Sequence, residues 1–344
     1  MRVLGNEREA MNELPVAELE SELPPHVGYF ADVWRRLRRN KLAVTGMVLL
    51  AGFFIMALFA DNYLLVAPRT LFQVDVSKTG ANPVAFVKQW HTLTKEQTHP
   101  LLAPYDPYKQ NLVLRKAPPS REHPLGMDEV GRDMLSRIIY GSRVSLEVGF
   151  LSVIGAILLG VLIGATSGYA GGWVDNVVMR LMDILLAFPS LLLALAIVTI
   201  LGPGLLNMLY AIAIVSIPTY ARLVRASVLA EKEADYVLAA RATGDTHTRI
   251  LFRHIMPNAL TPIIVQGTLG IGTAILDAAA LGFLGLGAQP PTPEWGTMLS
   301  RAQQVFFSAP HIGIFPGLAI MLTVLGFNLL GDGLRDALDP RLRM

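Results

Sequence analysis

The side chains in this chain that could do chemistry are few. Asp277 stands at the end of an uncharged stretch, Ile255–Leu276, and is the main carboxylate placed to lie inside a lipid-solvated segment. Carboxylates within a bilayer serve ion coupling or recognition and need a partner. One at a wet helix end needs none, and both readings are open for Asp277. Arg180 and Asp183 are three residues apart and can pair on a helix face, with Asp183 at the end of a span. The seven histidines are scattered; His247 and His254 fall in a basic stretch where solvated or structural roles outweigh metal binding. No G-x-x-x-x-G-K-S/T phosphate loop is present, and no glycine is followed by lysine, so the chain lacks the usual equipment for ATP hydrolysis. Neither H-E-x-x-H, an EF-hand loop nor G-x-S-x-G occurs. There is no cysteine, which excludes disulfides, thiolate metal sites and a cysteine nucleophile. No catalytic constellation supports an enzyme, no metal site is expected, and no substrate-binding set can be read.

What the sequence does offer is a stretch built for contact. Lys232–Thr243 has helical composition and carries small residues, Ala239, Ala240 and Ala242, beside Tyr236 and Arg241. Small side chains permit close approach of another surface. Gly244 follows where a helix stops in a left-handed position, and Asp245 or Thr246 can cap the next helix. The region reads as helix, glycine turn, helix. It is either a docking element or an ordinary solvated loop.

The elements around it are membrane helices. Of the 344 residues 52% are hydrophobic and only 16% charged, against roughly 25% charged in a soluble domain. The deficit concentrates in uncharged runs: Leu42–Ala60, Val148–Val174, Ile184–Ala221, Ile255–Leu276 and Ile312–Gly331. A spanning helix needs about 20 apolar residues. The third run is too long for one span and divides at the turn Gly202-Pro203-Gly204, which makes six spans. Continuous apolarity predicts helices rather than barrel strands, which alternate.

The predicted organisation follows. Residues 1–41 are an N-terminal tail, acidic at first, and 42–60 the first span. Residues 61–143 are a proline-rich loop, and 144–331 hold spans two to six with the loop 222–254. Residues 332–344 form the C-terminal tail. A cleaved signal peptide is not expected, since the first apolar run begins only at Leu42. Basic residues flank the spans at Arg35–Lys41, at Arg222–Arg253 and at Arg335–Arg343. Six spans put all three groups on one side, which the positive-inside rule makes the cytoplasm. The loop 61–143 is then external, and long enough to be exported despite its own charges. It is a docking surface or an ordered cap. A net charge of +2 says little about nucleic acid.

Several segments carry a resemblance. Asp235-Tyr236-Val237-Leu238-Ala239-Ala240-Arg241-Ala242-Thr243-Gly244, continuing to Pro257, resembles the EAA loop of binding-protein-dependent ABC importers, with Leu238 where that pattern has Glu. His123-Pro124-Leu125-Gly126, Gly131-Arg132-Asp133, Tyr140–Leu146, Ala187-Phe188-Pro189-Ser190, Phe283–Gly287 with Trp295-Gly296, and Asp336–Arg341 resemble the second-subunit branch of the dipeptide/oligopeptide/nickel permease family. Asp277 stands where that branch has Glu.

The resemblance covers about residues 30–344. It implies an all-α polytopic membrane protein with the type I ABC importer permease fold in a bacterial or archaeal plasma membrane. The expected partners are a second homologous permease, one or two cytoplasmic ATPase subunits and an external solute-binding protein. ATP and Mg would sit on the ATPases, with no cofactor in this chain. Tyr236, Ala239, Ala240, Arg241 and Gly244 would seat on an ATPase as the coupling helix. The solute is left open among dipeptides, longer peptides, nickel and other small solutes. The alternative reading is a stand-alone transporter driven by an ion gradient, though the scarcity of in-membrane charge and the lack of a clear repeat favour the importer.

Overall fold

The computed structural model of the protein describes residues 29–61 and 101–339. The acidic tail and the loop segment 62–100 lie outside the described residues. Those described form helices and connecting loops, with no named strand. In chain order they are α1 (Tyr29–Arg39), α2 (Lys41–Phe59), α3 (Met134–Ala170), α4 (Gly172–Leu186), α5 (Ser190–Leu201), α6 (Leu205–Lys232), α7 (Asp235–Ala242), α8 (His247–Phe283), α9 (Trp295–Ala302) and α10 (His311–Leu338).

Five helices, α2, α3, α6, α8 and α10, are each long and apolar enough to cross a bilayer. The sixth expected span differs from its prediction. The sequence suggests a helix running on from Ile184, but the chain turns by 89° between α4 and α5. Pro189 supplies no N–H and pushes Phe188 out of the helical region, so α4 closes with Ala187 N–H on Asp183 O at 3.0 Å and α5 restarts at Ser190. α5 has 12 residues and reaches only about 18 Å, short of a hydrocarbon core of about 30 Å. Only α4 and α5 together amount to a span. The second uncharged run is also divided: α3 ends at Ala170, and Gly172-Trp173-Val174 opens α4.

The spans pack through small residues, as helices do where lipid removes the hydrophobic drive between them. α3 meets α6 at Gly160 and Gly164, where a Cβ on Gly164 would lie 2.2 Å from Ala221 O. α2 meets α10 at Gly46, Gly326 and Gly333, and α8 meets α10 at Gly272 and Gly331. Between these contacts Phe53, Met208, Ile275, Trp295 and Phe327 form the core. Phe53 and Phe150 sit edge-on to Trp295 and Phe327, with centroids 5.5 and 5.7 Å apart.

One end of the bundle carries a cap built from residues 101–133. Arg132 donates to Asp128 at 2.6 Å, both side chains buried. Glu129 accepts from Arg132 and from Arg301 of α9, each at 3.1 Å. Asp133 caps α3 through Ser136 N–H at 2.7 Å and holds the His123 ring at 2.9 Å. Arg137 reaches Pro107 O at 3.1 Å. A buried charge is tolerated only when paired and hydrogen-bonded, and this network meets that condition. Within the proline-rich loop, residues 101–133 are thus an ordered segment at the end of the bundle. Glu294 heads α9 by accepting from Gly296 and Thr297 N–H at 2.7 and 2.8 Å. Burial holds its carboxyl above the usual carboxylate range, with those bonds opposing the shift.

Candidate functional site

At the opposite end, α6 runs eleven residues past Ala221, to Lys232, and α8 begins at His247. The predicted helix–turn–helix lies between them. α7 has Val237 fully buried and Ala240 8% exposed. Both pack on Ile250, Leu251, Ile255 and Met256 of α8, and on Val224 and Val228 of α6. The turn closes as a Schellman motif: Gly244 N–H donates to Arg241 O at 3.0 Å and Asp245 N–H to Ala240 O at 3.1 Å. Gly244 has φ +85°, the left-handed conformation that the sequence predicts there.

Polar contacts clasp this unit to its neighbours. Lys232 Nζ donates to Tyr169 O at the end of α3 at 2.8 Å, and the Tyr169 hydroxyl meets His247 Nδ1 at 2.9 Å. Tyr236 donates to Glu231 at 2.5 Å and accepts from Asn258 at 2.9 Å. Burial and the Glu231 bond raise the Tyr236 hydroxyl above its usual pKa. Asp245 is not a helix cap: its carboxylate meets His254 at 2.9 Å and Arg249 at 3.4 Å. Thr246 takes the N-cap position without a side-chain bond. Both histidines of the basic stretch are thus structural. Among the described residues no group of three His, Cys, Asp or Glu could hold a metal ion.

The five residues singled out from the sequence divide between two faces. Tyr236, Ala239, Arg241 and Gly244 are exposed, whereas Ala240 faces inward and holds α7 to its own chain. Leu238, singled out only for departing from the family's Glu, is 46% exposed between Tyr236 and Ala239 and belongs to the outer face. The Tyr169–Lys232–His247 clasp carries no sequence signal, because its members are far apart in the chain. Asp183 pairs with Arg222 of α6, so the expected partnership with Arg180 is not the one formed. Asp175 of α4 likewise binds Arg225, and the two pairs fasten the broken span to α6.

The chain matches two family descriptions. Residues 156–344 match the binding-protein-dependent transport system inner membrane component, and residues 28–82 match the N-terminal TM domain of oligopeptide transport permease C. A dipeptide transport system permease protein, DppC, of Alkalihalophilus pseudofirmus is 46% identical over 93% of this chain and 94% of its own length. A di/tripeptide permease protein of Pseudomonas aeruginosa is 53% identical over 71% and 82%. A glutathione transport system permease protein, GsiD, of Pectobacterium atrosepticum is 43% identical over 96% of both. Among solved structures, a chain of the MetNI methionine ABC transporter in an inward-facing conformation superposes with TM-score 0.50 at 19% identity. It covers 59% of this chain and 97% of that one, a likeness of fold. With a family match over residues 156–344 and relatives above 40% identical along nearly its whole length, this multi-pass chain belongs to the binding-protein-dependent inner-membrane components, as a permease subunit of an ABC importer in the dipeptide/oligopeptide branch.

Proposed function

We propose that this subunit pairs with a second, homologous permease to form a pathway for dipeptides or similarly small peptides. Cytoplasmic ATPase subunits drive it, and an external binding protein delivers the solute. ATP and Mg bind on the ATPases, and none of this chain's side chains takes part in hydrolysis. Both termini and α7 face the cytoplasm, and the cap at 101–133 faces outward. Tyr236, Leu238, Ala239, Arg241 and Gly244 form the surface that seats on an ATPase.

The observation that carries this reading is the closed helix–turn–helix at the junction of α6 and α8. Its inner face is apolar and its ends are clasped to α3, so a push on the outer face is passed to three spans as a unit. A floppy loop would absorb the same push. The solute class rests on the relatives, which are permeases for dipeptides, di/tripeptides and glutathione.

The test is purification of the tagged chain from its native membrane, followed by reconstitution. The expected result is recovery of a second permease and one or two ATPases, with binding-protein-stimulated hydrolysis driving dipeptide uptake. Gly244→Val is expected to leave hydrolysis running while uptake falls, since a β-branched residue fits φ +85° poorly. Competition between dialanine, longer peptides and glutathione assigns the solute. Solute movement by the chain alone, on an ion gradient without ATP, sinks the proposal.

A further inference from the structure

Asp277 is a half-buried carboxylate within the spanning helix α8, and among the described residues no hydrogen bond or ion pair reaches it. α6 and α8 run antiparallel. Gly204 N–H bonds Leu286 O at 3.1 Å at one end, and further along the Tyr220 hydroxyl fills the space beside Gly270. Asp277 lies between these anchors and, two turns from Gly270, on nearly the same side of the helix. The opposite side carries Ile271 and Ile275, packed on Gly149 of α3.

The arginines of α3, α6 and α9, which pack against α8, are paired elsewhere. Arg222 and Arg225 lie beyond Tyr220 and bind Asp183 and Asp175. Arg143 binds Asp61, Arg137 faces Asp128, and Arg301 binds Glu129. Lys232 is held at Tyr169. α10 has no charged residue from Ile312 to Gly331. An ionised carboxylate in a span is costly without a counter-charge, and among the described residues no ion pair supplies one to Asp277.

Two further polar residues share this face. Gln266 and Thr273 precede Asp277 by eleven and four residues, close to whole helical turns. Thr273 is exposed and Gln266 half-buried. A polar, partly open stripe on a spanning helix faces water or a polar ligand rather than acyl chains.

Resting on the peptide-importer reading above, we propose that this face of α8 lines the solute pathway and that Asp277 binds the ammonium group of the peptide during passage. A small peptide at neutral pH carries such a group at its N-terminus. A charge-assisted bond in a low-dielectric passage offsets part of the dehydration of that group. Asp277 is thus a specificity-determining residue of the membrane subunit.

The test uses the complete importer with its binding protein in vesicles and labelled dialanine as the probe. Asp277→Asn keeps the shape and removes the charge. Its maximal uptake rate is expected to fall by about tenfold or more, the scale of a lost charge-assisted bond. The half-saturating concentration should stay constant, because capture belongs to the binding protein. Subunit composition and binding-protein-stimulated ATP hydrolysis should also be unchanged, and Asp277→Glu should restore most of the rate. Unchanged uptake in Asp277→Asn overturns the proposal. So does loss of the second permease from that variant's complex, which would make Asp277 half of an ion pair between subunits. Equal failure of the Glu and Asn variants in an intact complex assigns it to packing and overturns the proposal as well. Failure of the unmodified complex to couple hydrolysis to dialanine uptake strikes the importer reading instead.

Discussion

Gly244 and Gly131 both hold left-handed backbone, at φ +85° and +76°, yet their surroundings differ. A Cβ on Gly244 meets nothing within 4 Å, whereas one on Gly131 would lie 1.9 Å from Asn111 O. At Gly244 a substitution carries only the backbone cost, about 1–2 kcal/mol. Gly244→Asn is therefore expected to retain most coupled uptake and Gly244→Val to lose it, since Asn tolerates this conformation. The ratio of transport to hydrolysis in vesicles reads that difference. Gly131→Ala carries the same cost plus a clash with backbone. It should loosen the cap and lower the midpoint of thermal unfolding of the purified complex by several degrees, while leaving the α7 surface intact. A thermal scan in detergent checks it.

The elements show why these positions matter. α3 and α6 approach so closely at Gly164 that no side chain fits, with Ala221 O 2.2 Å from an added Cβ. Gly164→Val forces the pair apart, a change that typically costs 1–3 kcal/mol. Because α6 leads directly into α7, the displacement also shifts the helix–turn–helix. Lower yield of folded complex and weaker ATPase retention are expected together, measured by size-exclusion chromatography of the solubilised complex. Retention unchanged at normal yield would show that the two ends of α6 move independently. The broken span adds a second attachment. α4 is tied to α6 by Asp175–Arg225 and Asp183–Arg222, so the 89° bend is held by ion pairs as well as by Pro189.

At the scale of the whole molecule, the cap and the helix–turn–helix lie at opposite ends of one bundle, and topology decides which faces the cytoplasm. The chain has no native cysteine, so single introduced thiols report cleanly. Ala239→Cys, on the exposed face of α7, should react with a membrane-impermeant thiol reagent only from the cytoplasmic side. Val113→Cys, in the cap and 91% exposed, should react only from outside. Both reacting from one side would refute the assigned topology. Much of the bundle's flank is apolar and exposed, including Leu158, Ile200 and Leu206, as fits a multi-pass subunit of a membrane complex.

What depends on neighbours along the chain is legible in the sequence alone. Uncharged runs marked the spans, because the cost of charge in lipid acts residue by residue. Gly244 marked the turn, because a left-handed position excludes most side chains whatever surrounds it. Six expected spans correspond to five full helices and one bent pair, and the break lay in plain view at Pro189. The apolar run continues across it, and run length measures hydrophobicity rather than direction. That Ala240 turns inward while Leu238 turns out is legible only in three dimensions, since the face of an eight-residue helix is set by what packs on it. The same holds for the Tyr169–Lys232 clasp and for the pairing of Arg301 with Glu129, whose members meet only when distant segments do. It holds most for Asp277. Its residue type was legible from the start, but its isolation follows from where Arg137, Arg143, Arg222, Arg225 and Arg301 find their partners, and ion pairing is decided by distance in space.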